Sequence, residues 1–362
     1  MPVLIDAHHL GHGQTGNETW ARGVTTELAE RPSQAHVAVT AAGRCWLDPS
    51  WTADRVHEVS PSSSRRLAYD LPRLTRRLRP EALLVQYTLP PFASRRVPGV
   101  VVIHDVSFEH PEAAQWIPPR TLARYRATIR SSARRARVVL VPTEWTRADV
   151  MDTYGLAADR VMVAGNAVDA DLARALAETP EGRPGTGSVL AVGTVLPRKN
   201  LAVLARAVAA LRATHPQARL RVVGPVPAAG HEVVRELRRA LGDALDLVGP
   251  VPVEQLAREY RSADVLAFPS RHEGFGIPLI EAMAAGLPVV SSTSTCLPEV
   301  GGDAAVFADP DDVEAWTGSL AAVLDDAALR GRLVPAGLRR AESFSWTKTA
   351  DVVEAALALA AS

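Results

Sequence analysis

Pro269-Ser270-Arg271-His272-Glu273-Gly274-Phe275-Gly276-Ile277-Pro278-Leu279-Ile280-Glu281-Ala282 sets two carboxylates eight positions apart around a Gly-Phe-Gly turn. Pro278 suits the first turn of a helix, where its missing N–H costs nothing. Gly274 and Gly276 permit tight loop geometry and bring main-chain amides close to a ligand. A helix N-terminus offers N–H groups and a partial positive charge, which favour anionic or oxygen-rich ligands. Helical side chains lean back toward the N-terminus, so Glu281 in the helix and Glu273 in the loop are predicted to face one pocket. Such a pair suits a polyhydroxylated ligand carrying phosphates. Two Glu residues at this spacing are common by chance, however, and Glu281 alone reads equally well as a solvated helix residue.

The string runs on into Ala284-Ala285-Gly286-Leu287-Pro288-Val289-Val290, a helix stop followed by a buried strand. The whole block resembles the signature of retaining glycosyltransferases of family 4, which have the GT-B fold.

The 362 residues exceed one ordinary domain and suit two. Hydrophobic residues at 47% and charged residues at 22% are globular values. A formal net charge of +0 gives no global attraction to nucleic acid or an anionic membrane. Cys45 and Cys296 are the only cysteines, which excludes a disulfide framework or a Cys-based zinc site and agrees with a reducing cytosol. Met1-Pro2-Val3-Leu4-Ile5-Asp6 reaches a charge too soon for a signal peptide, and no apolar run approaches the length of a bilayer span. A soluble cytoplasmic protein is expected.

Short apolar runs alternate with helical patterns along the chain. Strands are predicted at Val3–Asp6, His36–Thr40, Ala82–Gln86, Val100–His104 and Val138–Pro142, with helices near Glu18–Glu30, Arg65–Leu78, Pro119–Arg135 and Glu144–Tyr154. This alternation indicates a mostly parallel sheet covered on both faces. The stretch Glu178–Gly187, rich in Pro, Gly and Thr, reads as a linker. The rhythm then restarts with strands at Val189–Gly193, Leu220–Gly224, Asp264–Phe268 and Pro288–Ser291, and helices near Asn200–Thr214, His231–Leu241, Val253–Arg261 and Ile277–Gly286. The expected division is residues 1–180 as an acceptor-side Rossmann-like domain, 181–187 as linker, 188–342 as the nucleotide-sugar domain and 343–362 as a last helix. Two such α/β halves suggest a ligand cleft at the carboxyl ends of their strands. The resemblance implies that the last helix crosses back to the first domain.

Four further patterns carry chemistry. Gly193-Thr194-Val195-Leu196-Pro197-Arg198-Lys199-Asn200 follows a strand and opens a helix, which suits a diphosphate: Arg offers a planar fork and Lys a point charge. Val101-Val102-Ile103-His104-Asp105 puts an imidazole at a strand end, where it is a candidate partner for a sugar hydroxyl or the reacting centre. Gly11-His12-Gly13-Gln14-Thr15-Gly16 is a literal G-x-G-x-x-G and raises the alternative of an NAD(P)-dependent oxidoreductase. The first glycine nevertheless comes several residues after strand end Asp6, and the strand Val37-Ala38-Val39-Thr40 lacks an acidic terminus. Asp169-Ala170-Asp171 imitates a metal-binding D-x-D but is too short to carry a metal site, and no metal is expected.

Two helices are rich in arginine. One sets Leu67, Leu71, Leu74 and Leu78 on a face ringed by Arg65, Arg66, Arg73, Arg76, Arg77 and Arg79, and the other is crowded by Arg120, Arg124, Arg126, Arg130, Arg134, Arg135 and Arg137. Basic amphipathic helices can lie on anionic membranes, which would make the protein peripheral at the inner face of the membrane. Core packing with a solvated face is the plainer reading and is preferred.

The resemblance implies roles residue by residue. Arg198 and Lys199 match the family's diphosphate clamp, Glu273 its sugar-hydroxyl partner, and His104 the histidine that meets the transferred sugar, and these four form the expected catalytic set. Glu281 would take the nucleotide ribose. Gly16, Gly193, Thr194, Gly224, Val251 and the amides of Gly274, Phe275, Gly276 and Ile277 would complete the donor site, with Asn17 and Glu18 on the acceptor side. Family members carry Asn-Gly-Val-Asp where this chain has Asn166-Ala167-Val168-Asp169. The implied activity is metal-independent, retaining transfer of a hexosyl group from GDP-mannose or a UDP-hexose to a saccharide, lipid-linked or small-molecule acceptor, with no cofactor and no nucleic-acid partner. The Thr194–Asn200 pattern resembles mannosyltransferases of polysaccharide assembly and leans toward GDP-mannose. A catalytically silent sugar-nucleotide binding protein is the third reading.

Overall fold

A computed structural model describes residues 2–11, 13, 16–31, 34–91, 97–180, 185 and 187–362. The chain forms two compact units, Met1–Ala167 with Ser345–Ser362, and Val168–Phe344. The first carries β1 (Pro2–Asp6), β2 (Gln34–Val39), β3 (Val56–Glu58), β4 (Ala82–Gln86), β5 (Gly99–Val102), β6 (Val138–Val141) and β7 (Val161–Val163), in the order β3-β2-β1-β4-β5-β6-β7. The second carries β8 (Ser188–Val192), β9 (Arg219–Val223), β10 (Leu245–Gly249), β11 (Val265–Phe268), β12 (Val289–Ser292) and β13 (Ala305–Ala308), in the order β10-β9-β8-β11-β12-β13. Every pairing is parallel. Both sheets are therefore doubly wound, and their strand order reverses between β1 and β4 and between β8 and β11. A crevice for ligands opens at such a reversal, outside the carboxyl ends of the strands.

The central strands are apolar runs because both of their faces are covered. All of Ala82–Gln86, Val138–Val141 and Val265–Phe268 is buried. In the second unit, helices place Leu204, Leu237, Trp316 and Leu320 on one face of the sheet and Tyr260, Leu279, Met283 and Leu297 on the other. The strands that the sequence pattern did not predict are β3, β7, β10 and β13, the four sheet edges. An edge strand pairs on one side only and keeps one flank in water, so it lacks the long buried run that marks a central strand. All five residues of Leu245–Gly249, for instance, are half-buried.

The last helix, Trp346–Ala361, belongs to the first unit, where Trp346 packs directly over Gly23. A Cβ at Gly23 would come within 2.1 Å of the Trp346 ring, so the contact requires glycine there. Thr349 Oγ1 donates to the Gly165 carbonyl at 3.0 Å, and Arg31 pairs with Glu354 and Asp351.

Two expectations are corrected. The units part between Ala167 and Val168, not at 181–187. The helix Ala170–Glu178 buries Leu172 and Leu176 in the core of the second unit, and Arg261 donates to the Leu176 carbonyl at 3.0 Å. Within the expected linker, Glu181–Pro184 and Thr186 lie outside the described residues, but Gly185 and Ser188 both donate their amides to the Asp264 carboxylate. That stretch is thereby tied to the second unit. Arg66, expected on a solvated face, is only 4% exposed. The π-helical turn Arg66–Asp70 that precedes Leu71–Leu78 is wider than an α-turn and rotates this side chain inward, where its Nε lies 3.2 Å from Asp6 Oδ2.

The helix Pro119–Arg135 spends several of its arginines within the unit: Arg126 donates to the Phe108 and Glu109 carbonyls, Arg134 to Tyr154 and Arg135 to Leu89. Among the described residues, no helix is long and apolar enough to cross a membrane.

Candidate active site

The β8/β11 reversal of the second unit gathers the groups expected to bind a diphosphate. β8 ends at Val192 and the chain turns through Gly193 at φ +133°, while Gly224 follows β9 at φ +139°. The two loops touch backbone to backbone. A Cβ at Gly224 would come within 2.2 Å of the Gly193 carbonyl oxygen, so close approach as well as conformation demands glycine there. A short 3₁₀ turn, Pro197–Lys199, then leads to Asn200, which adopts φ +55° and donates Nδ2–H to the Pro310 carbonyl at 2.7 Å. This turn presents Arg198 and Lys199 toward the loop after β11.

On that loop Glu273 receives both cations. Lys199 Nζ donates to Glu273 Oε1 at 2.6 Å and Arg198 Nη1 to the same oxygen at 3.1 Å, with Ser270 Oγ–H as a third donor. Arg198 also bonds the His272 carbonyl at 3.0 Å. The loop is fixed from behind, where the Arg271 amide bonds the Arg198 carbonyl at 2.9 Å, Ser292 bonds the Ser270 carbonyl at 2.6 Å and the Cys296 thiol donates to the Glu273 carbonyl at 3.2 Å. Burial alone would push the Glu273 carboxyl up. The charges of Lys199 and Arg198, then the hydrogen bonds from Lys199 and Ser270, outweigh it and hold the pKa down at about 2. Glu273 is thus a fixed anion at neutral pH, an acceptor and not an acid. A small pocket beside it is lined by Gly193, Thr194, Lys199, Phe268 and Ser270.

The helix Ile277–Ala284 starts as its sequence predicts, with Gly276 at φ +89° and Pro278 in the first turn. Phe275 is buried and packs edge-on against Phe344, so its ring belongs to the core. Glu281 is half-buried, and Oε2 accepts from the Tyr260 hydroxyl at 2.6 Å. Burial raises its pKa to about 7, opposed by the Tyr260 hydrogen bond and reinforced by Asp169. Val251 is half-buried against the same core. The two members of the D-x-D triplet have local partners: Asp169 caps the helix Ala170–Glu178 and Asp171 pairs with Arg174.

In the first unit, His104 follows β5 and is 9% exposed. Its Nε2 lies 2.8 Å from Gln86 Oε1, and Gln86 Nε2 donates to the Asn17 carbonyl at 3.3 Å. That second bond orients the amide so that its oxygen faces His104. The imidazole therefore carries its proton on Nε2 and keeps Nδ1 as an acceptor. Burial lowers its pKa to about 4, against a smaller upward pull from Asp105. Gly16 opens the helix Gly16–Glu30. Glu18 is buried, and its Oε1 accepts the Gly11 amide at 2.7 Å, bracing the glycine loop. Of that loop, His12, Gln14 and Thr15 lie outside the described residues.

Two further histidines of this unit, outside the motifs singled out in the sequence, also follow a strand. His8 and His9 follow β1 with ring centroids 3.9 Å apart, and His8 Nδ1 lies 3.2 Å from Asp6 Oδ2. Burial, then the charges of His8 and His104, lowers the His9 pKa to about 2. The rule that singled out His104, polar residues at the carboxyl end of a strand, would have found them too.

Two sequence families match in succession. The one described as Glycosyltransferase Family 4 covers residues 15–172, and the one described as Glycosyl transferases group 1 covers residues 186–326. O-antigen chain mannosyltransferase B of Escherichia coli is 32% identical over 263 residues, which is 68% of this chain and 67% of that protein. D-inositol 3-phosphate glycosyltransferase of Corynebacterium efficiens is 35% identical over 231 residues, 59% of this chain and 54% of that protein, so the chain spans about half the length of this relative. Among solved structures, sucrose-phosphate synthase of Thermosynechococcus elongatus matches with a TM-score of 0.75 at 20% identity, over 98% of both chains. The Anabaena protein HepE in complex with UDP-glucose matches with a TM-score of 0.75 at 16% identity, over 99% of both. At these identities the structural likeness speaks for the fold, which is GT-B. With its doubly wound units and both halves matched, the chain belongs to glycosyltransferase family 4.

Proposed function

We propose that this protein is a retaining, metal-independent glycosyltransferase that moves a hexosyl group from a nucleotide-diphosphate sugar to a saccharide, lipid-linked or small-molecule acceptor. The convergence of Lys199, Arg198 and Ser270 on the Glu273 carboxylate carries this reading. Arg198 and Lys199 neutralise the departing diphosphate, where charge grows in the transition state, and so supply the stabilisation a metal would otherwise give. Glu273, ionised at neutral pH, accepts hydrogen bonds from sugar hydroxyls, and Glu281 takes the ribose. Nδ1 of His104 accepts from a hydroxyl of the transferred sugar. The acceptor oxygen attacks the anomeric carbon on the face that the diphosphate leaves, the C–O bond to phosphate breaks, and a phosphate oxygen takes the acceptor's proton. The mannosyltransferase relative favours GDP-mannose over a UDP-hexose as donor.

The first test is thermal stability with GDP, UDP, ADP and NAD, because a ligand of the native state raises the midpoint. Stabilisation by a nucleoside diphosphate, with an α-linked product formed from an α-linked donor, is the expected result. Stabilisation by NAD alone would favour the oxidoreductase. Binding with neither transfer nor hydrolysis of any nucleotide sugar would leave a silent binding protein.

A further inference from the structure

Three helices of the second unit meet at Glu281. It projects from Ile277–Ala284, Tyr260 reaches it from Val253–Ser262, and Asp169 lies at the head of Ala170–Glu178. Tyr260 is 0% exposed, yet its hydroxyl finds a partner in Glu281 Oε2 at 2.6 Å. A buried phenol needs such a partner, which is the plain structural account of this bond. That account does not explain why the partner is a half-buried carboxylate close to another acidic group. The other charged side chains of these and adjoining helices are engaged elsewhere or exposed, Glu178, Glu254, Arg258, Arg332, Arg339 and Glu342 being exposed. Glu259 pairs with Arg221, Arg261 bonds the Ala285 and Leu176 carbonyls, Asp171 pairs with Arg174, and Arg340 of Ala327–Glu342 bonds the Val300 and Glu299 carbonyls. Glu299 of the helix Leu297–Gly301 is exposed, and β11 and β12 bring no charged residue. Glu281 is therefore a carboxylate whose charge is supported by one neutral donor and opposed by Asp169.

We propose that Tyr260 is the positioning residue of the ribose grip: its hydroxyl holds Oε2 of Glu281, turns Oε1 to the ribose diol, and keeps the carboxylate ionised enough to accept from it. The inference rests on the reading that Glu281 takes the ribose. Its consequence is a proton balance. The diol donates to an ionised carboxylate, so the population of protein that carries a proton on Glu281 must release it to solvent when nucleotide binds. With the pKa of Glu281 near 7 in the empty protein, this release falls at neutral pH. Removing the phenol hydroxyl takes away the donor that favours the charged form, so the pH at which release occurs moves upward.

The experiment titrates the intact protein with the tightest of GDP, UDP and ADP, and with the 2′,3′-dideoxy form of the same nucleotide, by calorimetry from about pH 6 to about pH 9. Both ligands share the titration of their phosphates, so the ratio of their affinities isolates the diol. In the parent protein that ratio is expected to grow with pH, by up to about tenfold per pH unit below the Glu281 midpoint, and to level off above it. Tyr260→Phe keeps the ring in the core and is expected to shift the same curve to higher pH, lowering ribonucleotide affinity several-fold at pH 7 and recovering it near pH 9. Glu281→Gln is expected to give a small ratio that does not vary with pH. A Tyr260→Phe curve superimposed on the parent's, while Glu281→Gln flattens it, would overturn the role of Tyr260 alone. A Glu281→Gln curve like the parent's would overturn the ribose assignment itself.

Discussion

Lys199 Nζ stands 2.6 Å from Glu273 Oε1, although 74 residues separate the two along the chain. The cations assigned to the diphosphate are thus held by a carboxylate before any donor arrives. An incoming diphosphate has to share Lys199 and Arg198 with Glu273, while the sugar hydroxyls gain an acceptor already locked in place. On the proposed reading, one group would both weaken product binding and orient substrate. Glu273→Ala is accordingly expected to bind the bare nucleoside diphosphate more tightly, by about 1–2 kcal/mol, the order of one charge-assisted hydrogen bond, and to lose sugar transfer. Calorimetry with the diphosphate and product assays on the same preparation decide it. Weaker diphosphate binding together with normal transfer would refute this division of labour.

The same carboxylate fixes a sign for acid stability. The Glu273 pKa of about 2 lies below its ordinary 4.5. Stability from this group is therefore present above about pH 4.5 and lost as pH falls through about 2. Glu281 works the other way: raised from 4.5 to about 7, it contributes stability below about pH 4.5 that is lost as pH rises through about 7. Melting temperatures of Glu273→Gln are expected to fall less steeply than the parent's between about pH 4.5 and 2. Those of Glu281→Gln are expected to exceed the parent's most clearly above about pH 7. Parallel curves in either comparison would contradict the charges assigned here.

Replacing both Arg198 and Lys199 by Ala is expected to reduce kcat as well as affinity, since the charge they meet is greater in the transition state than in the ground state. Near-normal turnover by the double variant would remove the clamp from the mechanism. Turnover of the parent is expected to survive EDTA. Its abolition, with rescue by Mg²⁺ or Mn²⁺, would instead give a metal the work proposed for the two side chains.

The sequence disclosed the middle of each sheet and the loops at its reversal, because both leave local marks. Val138–Val141 and Val265–Phe268 read as buried strands since covered faces demand unbroken apolar runs. Gly276 and Pro278 read as a helix start since backbone geometry restricts those positions. Gly224 was picked out as a donor contact, and its demand for glycine comes from the Gly193 carbonyl beside it, a close approach no pattern along one strand reveals. The roles of Tyr260, Gln86 and Arg66 are hidden for the same reason, Arg66 reading as a solvated arginine. Each acts through a partner distant in sequence, Glu281, His104 and Asp6 respectively, and buried hydrogen bonds of this kind follow from packing, not from periodicity. The unit boundary was misplaced because a Pro- and Gly-rich composition marks a break in regular structure, whereas the true junction follows the apolar stripe of Leu172 and Leu176 into the second core.

His104 gives the sharpest separation of binding from chemistry, because it sits in the first unit whereas the proposed nucleotide grip lies in the second. His104→Ala is expected to leave nucleoside diphosphate affinity intact and to cut sugar transfer by about 10²-fold, the scale of losing one positioned polar group. Gln86→Leu tests the tautomer. Without the amide oxygen, Nε2 no longer holds the proton and Nδ1 no longer faces the sugar as a dedicated acceptor, so transfer is expected to fall part of the way with nucleotide binding unchanged. The pH dependence carries an independent sign. Because burial lowers the His104 pKa from 6.5 to about 4, its neutral form persists well below neutrality, and the stability it contributes is present above about pH 6.5 and lost as pH falls through about 4. His104→Gln is expected to soften the acid decline of the melting temperature in that window. Transfer rates and melting curves of the three variants, measured side by side, check the assignment. Loss of nucleotide affinity in a folded His104→Ala protein would misplace the residue, and normal transfer would reduce it to a packing histidine held by Gln86.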